Sequence, residues 1–79
     1  MSQLPAPDME VDASDLTCPM PLLKAKRALN AMASGEHLRV IATDPGSERD
    51  FEVFSRQSGH ALLAARRDGD RYIYLLCKR

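Results

Sequence analysis

The sequence predicts a two-layer α/β (α+β) sandwich of βαβαββ order, with a four-stranded mixed sheet and two helices on one face. Three observations predict it. Strand-like stretches alternate with two stretches of helical period. An Asp68-Gly69 step, the strongest short hairpin signal, joins the last two strand-like stretches. Right-handed crossovers between parallel strands then carry both helices to the same side of the sheet. A chain of 79 residues has room for one core and no second one. The division expected is a flexible tail over residues 1–8 and a single domain over residues 9–79.

The elements follow in order. Residues 1–8 are polar, with two prolines, and read as a loose tail. In "MEVDA", Met9, Val11 and Ala13 alternate with Glu10 and Asp12, the pattern of a short strand with one wet face. Over residues 21–33, Leu22, Ala25, Leu29 and Met32 recur at spacings of three and four, while Lys24, Lys26 and Arg27 lie around the other side. Gly35 is the expected C′ residue of this helix. "HLRVIAT" is a β-branched run and forms the second strand. In "DPGSERDFEVFSRQSG", Asp44 before Pro45 is a cap followed by proline at the first helical position, and Ser47 is an equal alternative cap. Glu48 and Asp50 then suit the first turn electrostatically, Phe51, Phe54 and Val53 form the buried stripe, and Gly59 ends the helix. "HALLAARR" and "RYIYLLCK" complete the sheet as a hairpin, so the last strand runs opposite to the other three. In that last strand Tyr72, Tyr74 and Leu76 alternate with Ile73, Leu75 and Cys77. Either set can face the helices, and the other is left as a contact surface.

Composition removes several function classes. Eleven basic and eleven acidic side chains cancel, which argues against a broad electrostatic grip on nucleic-acid phosphates or anionic lipid. No window approaches the roughly 18 apolar residues of a membrane span, and residues 1–10 show no basic start followed by an apolar run. Two cysteines far apart do not make a disulfide scaffold. A cytoplasmic, thiol-reducing setting is the expectation.

The chemistry concentrates in Cys18-Pro19-Met20-Pro21. Each proline disfavours helical geometry in the residue before it, so Cys18 and Met20 are expected extended. Proline also fits a first helical turn, where its missing N–H had no partner. Cys18 is therefore placed at the mouth of the first helix, facing free N–H groups and the positive dipole end. That setting is expected to favour thiolate, lowering the pKa from about 8.5. A thiolate attacks the outer sulfur of a donor persulfide and keeps it as Cys–S–S⁻. With Cys-x-x-Pro in place of Cys-x-x-Cys, no neighbouring thiol resolves that persulfide. Pro19 and Pro21 are helix-start punctuation whose functional role is to aim the thiol, and Met20 between them is docking contact or core filler.

On "DLTCPMPLLKAKRAL", "TDPGSERDF", "SGHALL" and the closing "YIYLLCK", the chain resembles the TusA/SirA-like small sulfur carriers over residues 9–79. The resemblance implies that Cys18 accepts sulfane sulfur from a cysteine-desulfurase or rhodanese-like donor and passes it to an acceptor protein. Family pathways include thiolation of tRNA wobble uridine, molybdenum-cofactor enzyme maturation and sulfur oxidation. It implies a relay rather than an enzyme with independent turnover, with no cofactor beyond the covalent sulfur. The competing readings are a regulatory or RNA/DNA-binding module, and a peroxide or disulfide oxidoreductase, which would need a resolving thiol.

The remaining polar residues have blander assignments. Cys77 is expected at the other end of the sheet, roughly 20–25 Å from Cys18, too far for a disulfide. His37 and His60 fit no paired metal-ligand spacing, so no metal is expected. Asp44 and Ser47 are positioning and capping groups. Arg66, Arg67 and Arg71 form a solvated edge at the hairpin or a docking patch for an acidic protein or tRNA.

Overall fold

Strand neighbours that run the same way need a crossover between them, and the first helix is that crossover. The computed structural model describes residues 5–79. Along the chain come β1 (Met9–Ala13), α1 (Met20–Asn30), β2 (His37–Ala42), α2 (Ser47–Ser58), β3 (Ala61–Asp68) and β4 (Arg71–Cys77). β1 pairs parallel to β2, whereas β4 runs antiparallel to both β2 and β3, giving the sheet order β1-β2-β4-β3. The βαβαββ sandwich is therefore the observed architecture, with β4 inserted into the centre of the sheet. The first four residues of the expected tail lie outside the described residues. At its other end, Asp8 N–H donates to His37 O (2.8 Å) and His37 N–H to Asp8 Oδ2 (2.7 Å), prolonging the β1–β2 contact.

The period of two decides which side chains meet the helices. Leu38, Val40 and Ala42 from β2 and Tyr72, Tyr74 and Leu76 from β4 pack against Ala25, Leu29, Met32 and Phe51. This settles the ambiguity in β4 in favour of the tyrosine set. On the outer face Ile73 and Leu75 share a hollow of about 350 Å³ with Ala64 and the segment from Pro5 to Pro7. At one rim of that face Arg39 is ion-paired with Glu10.

The hairpin forms where the Asp-Gly step predicts it. Asp68 pairs with Arg71, and Gly69, with φ of 64°, is the first of two central residues, the position at which a type II′ turn takes glycine. β3 also carries an irregularity absent from the sequence reading. Leu62 opposes Leu76 and Ala64 opposes Leu75, so Leu63 bulges out of the ladder on an edge strand and is exposed.

Three boundaries differ from expectation. α1 ends at Asn30 rather than at residue 33, and its C-cap is Ala31 in right-handed geometry. The backbone beyond is held elsewhere: Ala33 N–H donates to Glu36 Oε1 and Gly35 N–H to Lys78 O, so Gly35 (φ 87°) turns the chain into β2 instead of capping the helix. Met20 is the first helical residue of α1 despite preceding Pro21, because a proline at the second helical position lacks only a donor that the helix does not use. In α2 the N-cap is Gly46, with Pro45 in the preceding turn, and neither Asp44 nor Ser47 makes a side-chain cap bond. Gly59, with φ of 84°, does end α2, its N–H donating to Ser55 O. No helix among the described residues is long and apolar enough to cross a membrane.

Candidate functional site

The loop between β1 and α1 is built by short-range bonds that leave Cys18 at the surface. Asp12 Oδ1 accepts from the Ser14 backbone N–H (3.0 Å) and hydroxyl (2.6 Å), turning the chain away from β1. Asp15 follows with φ of 64°, a left-handed conformation that aspartate tolerates better than most residues. Its N–H donates to Thr43 Oγ1 at 2.8 Å, which ties this loop to the one leaving β2. The Met20 N–H then closes back on Thr17 O at 2.8 Å, with a cis peptide between Cys18 and Pro19. Cys18, Pro19 and Met20 are all exposed at the start of α1, while Pro21 is buried beneath them. Met20 is thus a surface residue rather than core filler.

The thiol does not face a nest of free amides. In the first turn of α1, Met20 N–H is already bonded to Thr17 O and Pro21 has no N–H. What meets the sulfur is α2. Cys18 Sγ donates to Asp50 Oδ2 at 2.6 Å. This carboxylate, partial desolvation and the charges of Asp50 and Asp44 push the Cys18 thiol up from its ordinary value. The expected thiolate-favouring environment is therefore corrected to its opposite. The physical reason is that a full negative charge in contact outweighs the partial positive charge of a helix end.

Asp44 and Ser47 lie in the same neighbourhood with other roles than capping. Asp44 O accepts the Ser47 N–H at 3.0 Å, while its carboxylate Oδ2 is buried without a hydrogen-bond partner. A Cβ added at Gly46 would sit 2.9 Å from that oxygen and 3.6 Å from Cys18 Cβ, so glycine is what lets the α2 entry pass this close to the cysteine. Ser47 is buried and shares a 2.7 Å hydrogen bond with the Tyr74 hydroxyl. That bond pins the first residue of α2 to the middle of the sheet, and Asp50 follows one turn later over Cys18. Phe51 beside it stacks on Tyr74, with ring centroids 4.6 Å apart.

Sequence reasoning placed Asp50 in the first turn of α2 as a dipole partner and missed its contact with the thiol. The only available signal was its spacing of three from Ser47, which puts the two on one side of the helix. The other candidates lie apart from the sulfur. Cys77 opposes His37 in the ladder, at the end of the sheet away from Cys18, and both cysteines are free. His37 is held by Asp8, and His60 accepts the Arg79 N–H on Nδ1 while packing against Phe54. Arg67 donates to Gly69 O at the hairpin and covers the Tyr72 ring. Among the described residues no three His, Cys, Asp or Glu side chains converge as a metal site.

What remains is a solvent-exposed thiol at the joint between two helices, restrained by a carboxylate and with the other cysteine at the far end of the sheet. Such an exposed group is open to exchange with a thiol or persulfide brought to the surface. Residues 9–78 match the profile of a family described as sulfurtransferase TusA. A sulfur carrier protein TusA of Allochromatium vinosum is 51% identical over 71 residues, covering 90% of this chain and 93% of that protein. A sulfur carrier protein TusA of Pseudomonas putida is 37% identical over 73 residues, with 92% and 91% covered. The fold matches the crystal structure of a SirA-like protein from Desulfitobacterium hafniense with a TM-score of 0.77 at 20% identity, over 87% of this chain and 95% of that one.

Proposed function

The chain belongs to the sulfurtransferase TusA family, and from that premise we propose that it is a sulfur carrier which takes sulfane sulfur onto Cys18 as a persulfide. The supporting observation is the exposed Cys18 thiol at the α1–α2 joint, with the other cysteine at the far end of the sheet. In the loading step Cys18 sulfur attacks the outer sulfur of a donor persulfide. The donor S–S bond breaks, a new S–S bond forms on Cys18, and the donor cysteine leaves as a thiol carrying the proton that Cys18 gave up. Neither partner needs an external oxidant, because sulfane sulfur is exchanged without net redox change. In the release step the same exchange runs toward an acceptor protein.

The donor has the chemistry of a cysteine desulfurase or a rhodanese-like protein, both of which present a persulfide on a cysteine. The acceptor belongs to a sulfur-consuming route such as tRNA thiolation or molybdenum-cofactor maturation. The protein acts as a relay, loaded once and discharged once per cycle, in the cytoplasm. Exposed Met20 and Leu23, in the first turn of the helix that follows Cys18, are apolar contacts suited to a docked partner. The test is intact mass after incubation with a cysteine desulfurase and cysteine. Wild-type and Cys77→Ser proteins gain one sulfur atom each, and Cys18→Ser gains none while keeping its fold. Absence of the added sulfur on wild type, under conditions that load an established carrier, overturns the reading.

A further inference from the structure

We propose that Asp50 is a positioning residue for the reactive sulfur: its carboxylate, with that of Asp44 behind it, disfavours negative charge on Cys18 and so sets how readily sulfur is accepted and given up. The proposal deepens the carrier reading and rests on it for the sulfur-transfer part. Its geometry is direct. The Asp50 carboxylate accepts the thiol proton at 2.6 Å, from a helix whose start is pinned by the buried Ser47–Tyr74 bond. Asp44 has a buried carboxylate oxygen with no donor to offset it, and Gly46 lies between that oxygen and Cys18, close to both.

The charges that act on the sulfur are of one sign. Asp50 comes from α2 and Asp44 from the loop entering it, and both raise the thiol. From α1, Lys26 holds its ammonium 5.5 Å from the Phe54 ring centroid, and Lys24 acts on Asp12 of β1. An unloaded Cys18 is thereby kept as a thiol, protected from stray electrophiles, since the thiolate is the nucleophile. A terminal persulfide anion on Cys18 would stand among the same two carboxylates, and like charges at this range disfavour it. The load is then easily surrendered, and loading calls for a donor that takes up the proton or brings positive charge to the site.

In exchange chemistry the proton has a defined path. As Cys18 sulfur bonds to the donor's outer sulfur, the donor S–S bond breaks and the thiol proton leaves its hydrogen bond to Asp50 for the departing donor thiolate. No atom or electron is left over.

The experiment is the pH profile of Cys18 alkylation by iodoacetamide, read by mass in a Cys77→Ser background. Asp50→Asn keeps the shape and removes the charge. Its alkylation at neutral pH is expected to be roughly tenfold faster, with the whole profile displaced to lower pH. Asp50→Glu should stay near the parent, because it restores the charge. Glu48→Gln, a neighbouring exposed carboxylate that does not touch the sulfur, should leave the profile in place. Circular dichroism verifies the fold of each variant. In the same variants loaded with sulfur, Asp50→Asn is expected to hold the persulfide several-fold longer against cyanide. An Asp50→Asn profile superimposable on the parent overturns the proposal and leaves the carrier reading intact. A displaced profile in a protein that never takes sulfur supports the Asp50–Cys18 coupling and sinks the carrier reading instead.

Discussion

Replacing Tyr74 by Phe removes a single oxygen atom from the centre of the protein, and its consequence can be worked from the structure. The ring stays, with its stack on Phe51 at 4.6 Å and 21°. The partner hydroxyl of Ser47 stays as well. Ser47 and Tyr74 are each 1% exposed, so water cannot replace the lost bond. A buried hydroxyl left without a partner costs about 1–3 kcal/mol. Ser47→Ala orphans the tyrosine hydroxyl instead, with a similar penalty of about 1–3 kcal/mol. In the double variant both hydroxyls are gone and nothing is orphaned, so its loss is expected to be no larger than that of either single change. The coupling between the two sites is therefore about 1–3 kcal/mol in a double-mutant cycle. The assay is urea unfolding followed by circular dichroism. With a slope of about 1 kcal/mol/M for a small domain, each single variant unfolds at about 1–3 M less urea. Single variants within about 0.5 kcal/mol of wild type, or a double variant equal to the sum of the singles, would refute the reasoning.

Two further outcomes are expected. Leu29→Ala opens a void against the sheet at a fully buried position and should lose about 2–5 kcal/mol in the same urea assay, whereas Leu23→Ala on the exposed side of α1 should stay within about 0.5 kcal/mol. His60 is lowered from 6.5 first by burial and then by Lys78 and Arg79, so the fold prefers it neutral. That preference stabilises fully above the unfolded value of 6.5 and is lost as pH falls below it toward the lower folded value. Thermal midpoints should decline below that pH, and His60→Gln should flatten the decline.

Much of the chain could be read locally. The period of two in "MEVDA", the spacing of Leu22, Ala25 and Leu29, and the Asp68-Gly69 step each carry their structure within a few residues, and each is found where it was expected. The α2 C-terminus is legible for the same reason, since Gly59 takes the left-handed conformation that closes a helix at little steric cost. The N-terminus of α2 was not. Asp44-Pro45-Gly46-Ser47 contains two good capping side chains, yet Ser47 is turned to Tyr74 of β4 and Asp44 has its Oδ2 buried near Gly46. Capping propensity is worth about 1 kcal/mol, and a buried tertiary bond at the same residue competes on equal terms. The end of α1 shifted likewise, because Lys78 at the far end of the sequence takes the Gly35 N–H.

The amino-acid order alone determined which segments are strands or helices, how they alternate, and that one cysteine stands at a helix entrance, because those properties depend on neighbours a few positions apart. Only the packed structure brought carboxylates against that cysteine. Asp50 lies 32 positions from Cys18 along the chain, and it reaches the sulfur because the sheet and the Ser47–Tyr74 bond hold α2 against the start of α1. Electrostatic contact falls steeply with distance in water, so a carboxylate at 2.6 Å prevails over the partial charge of a helix end.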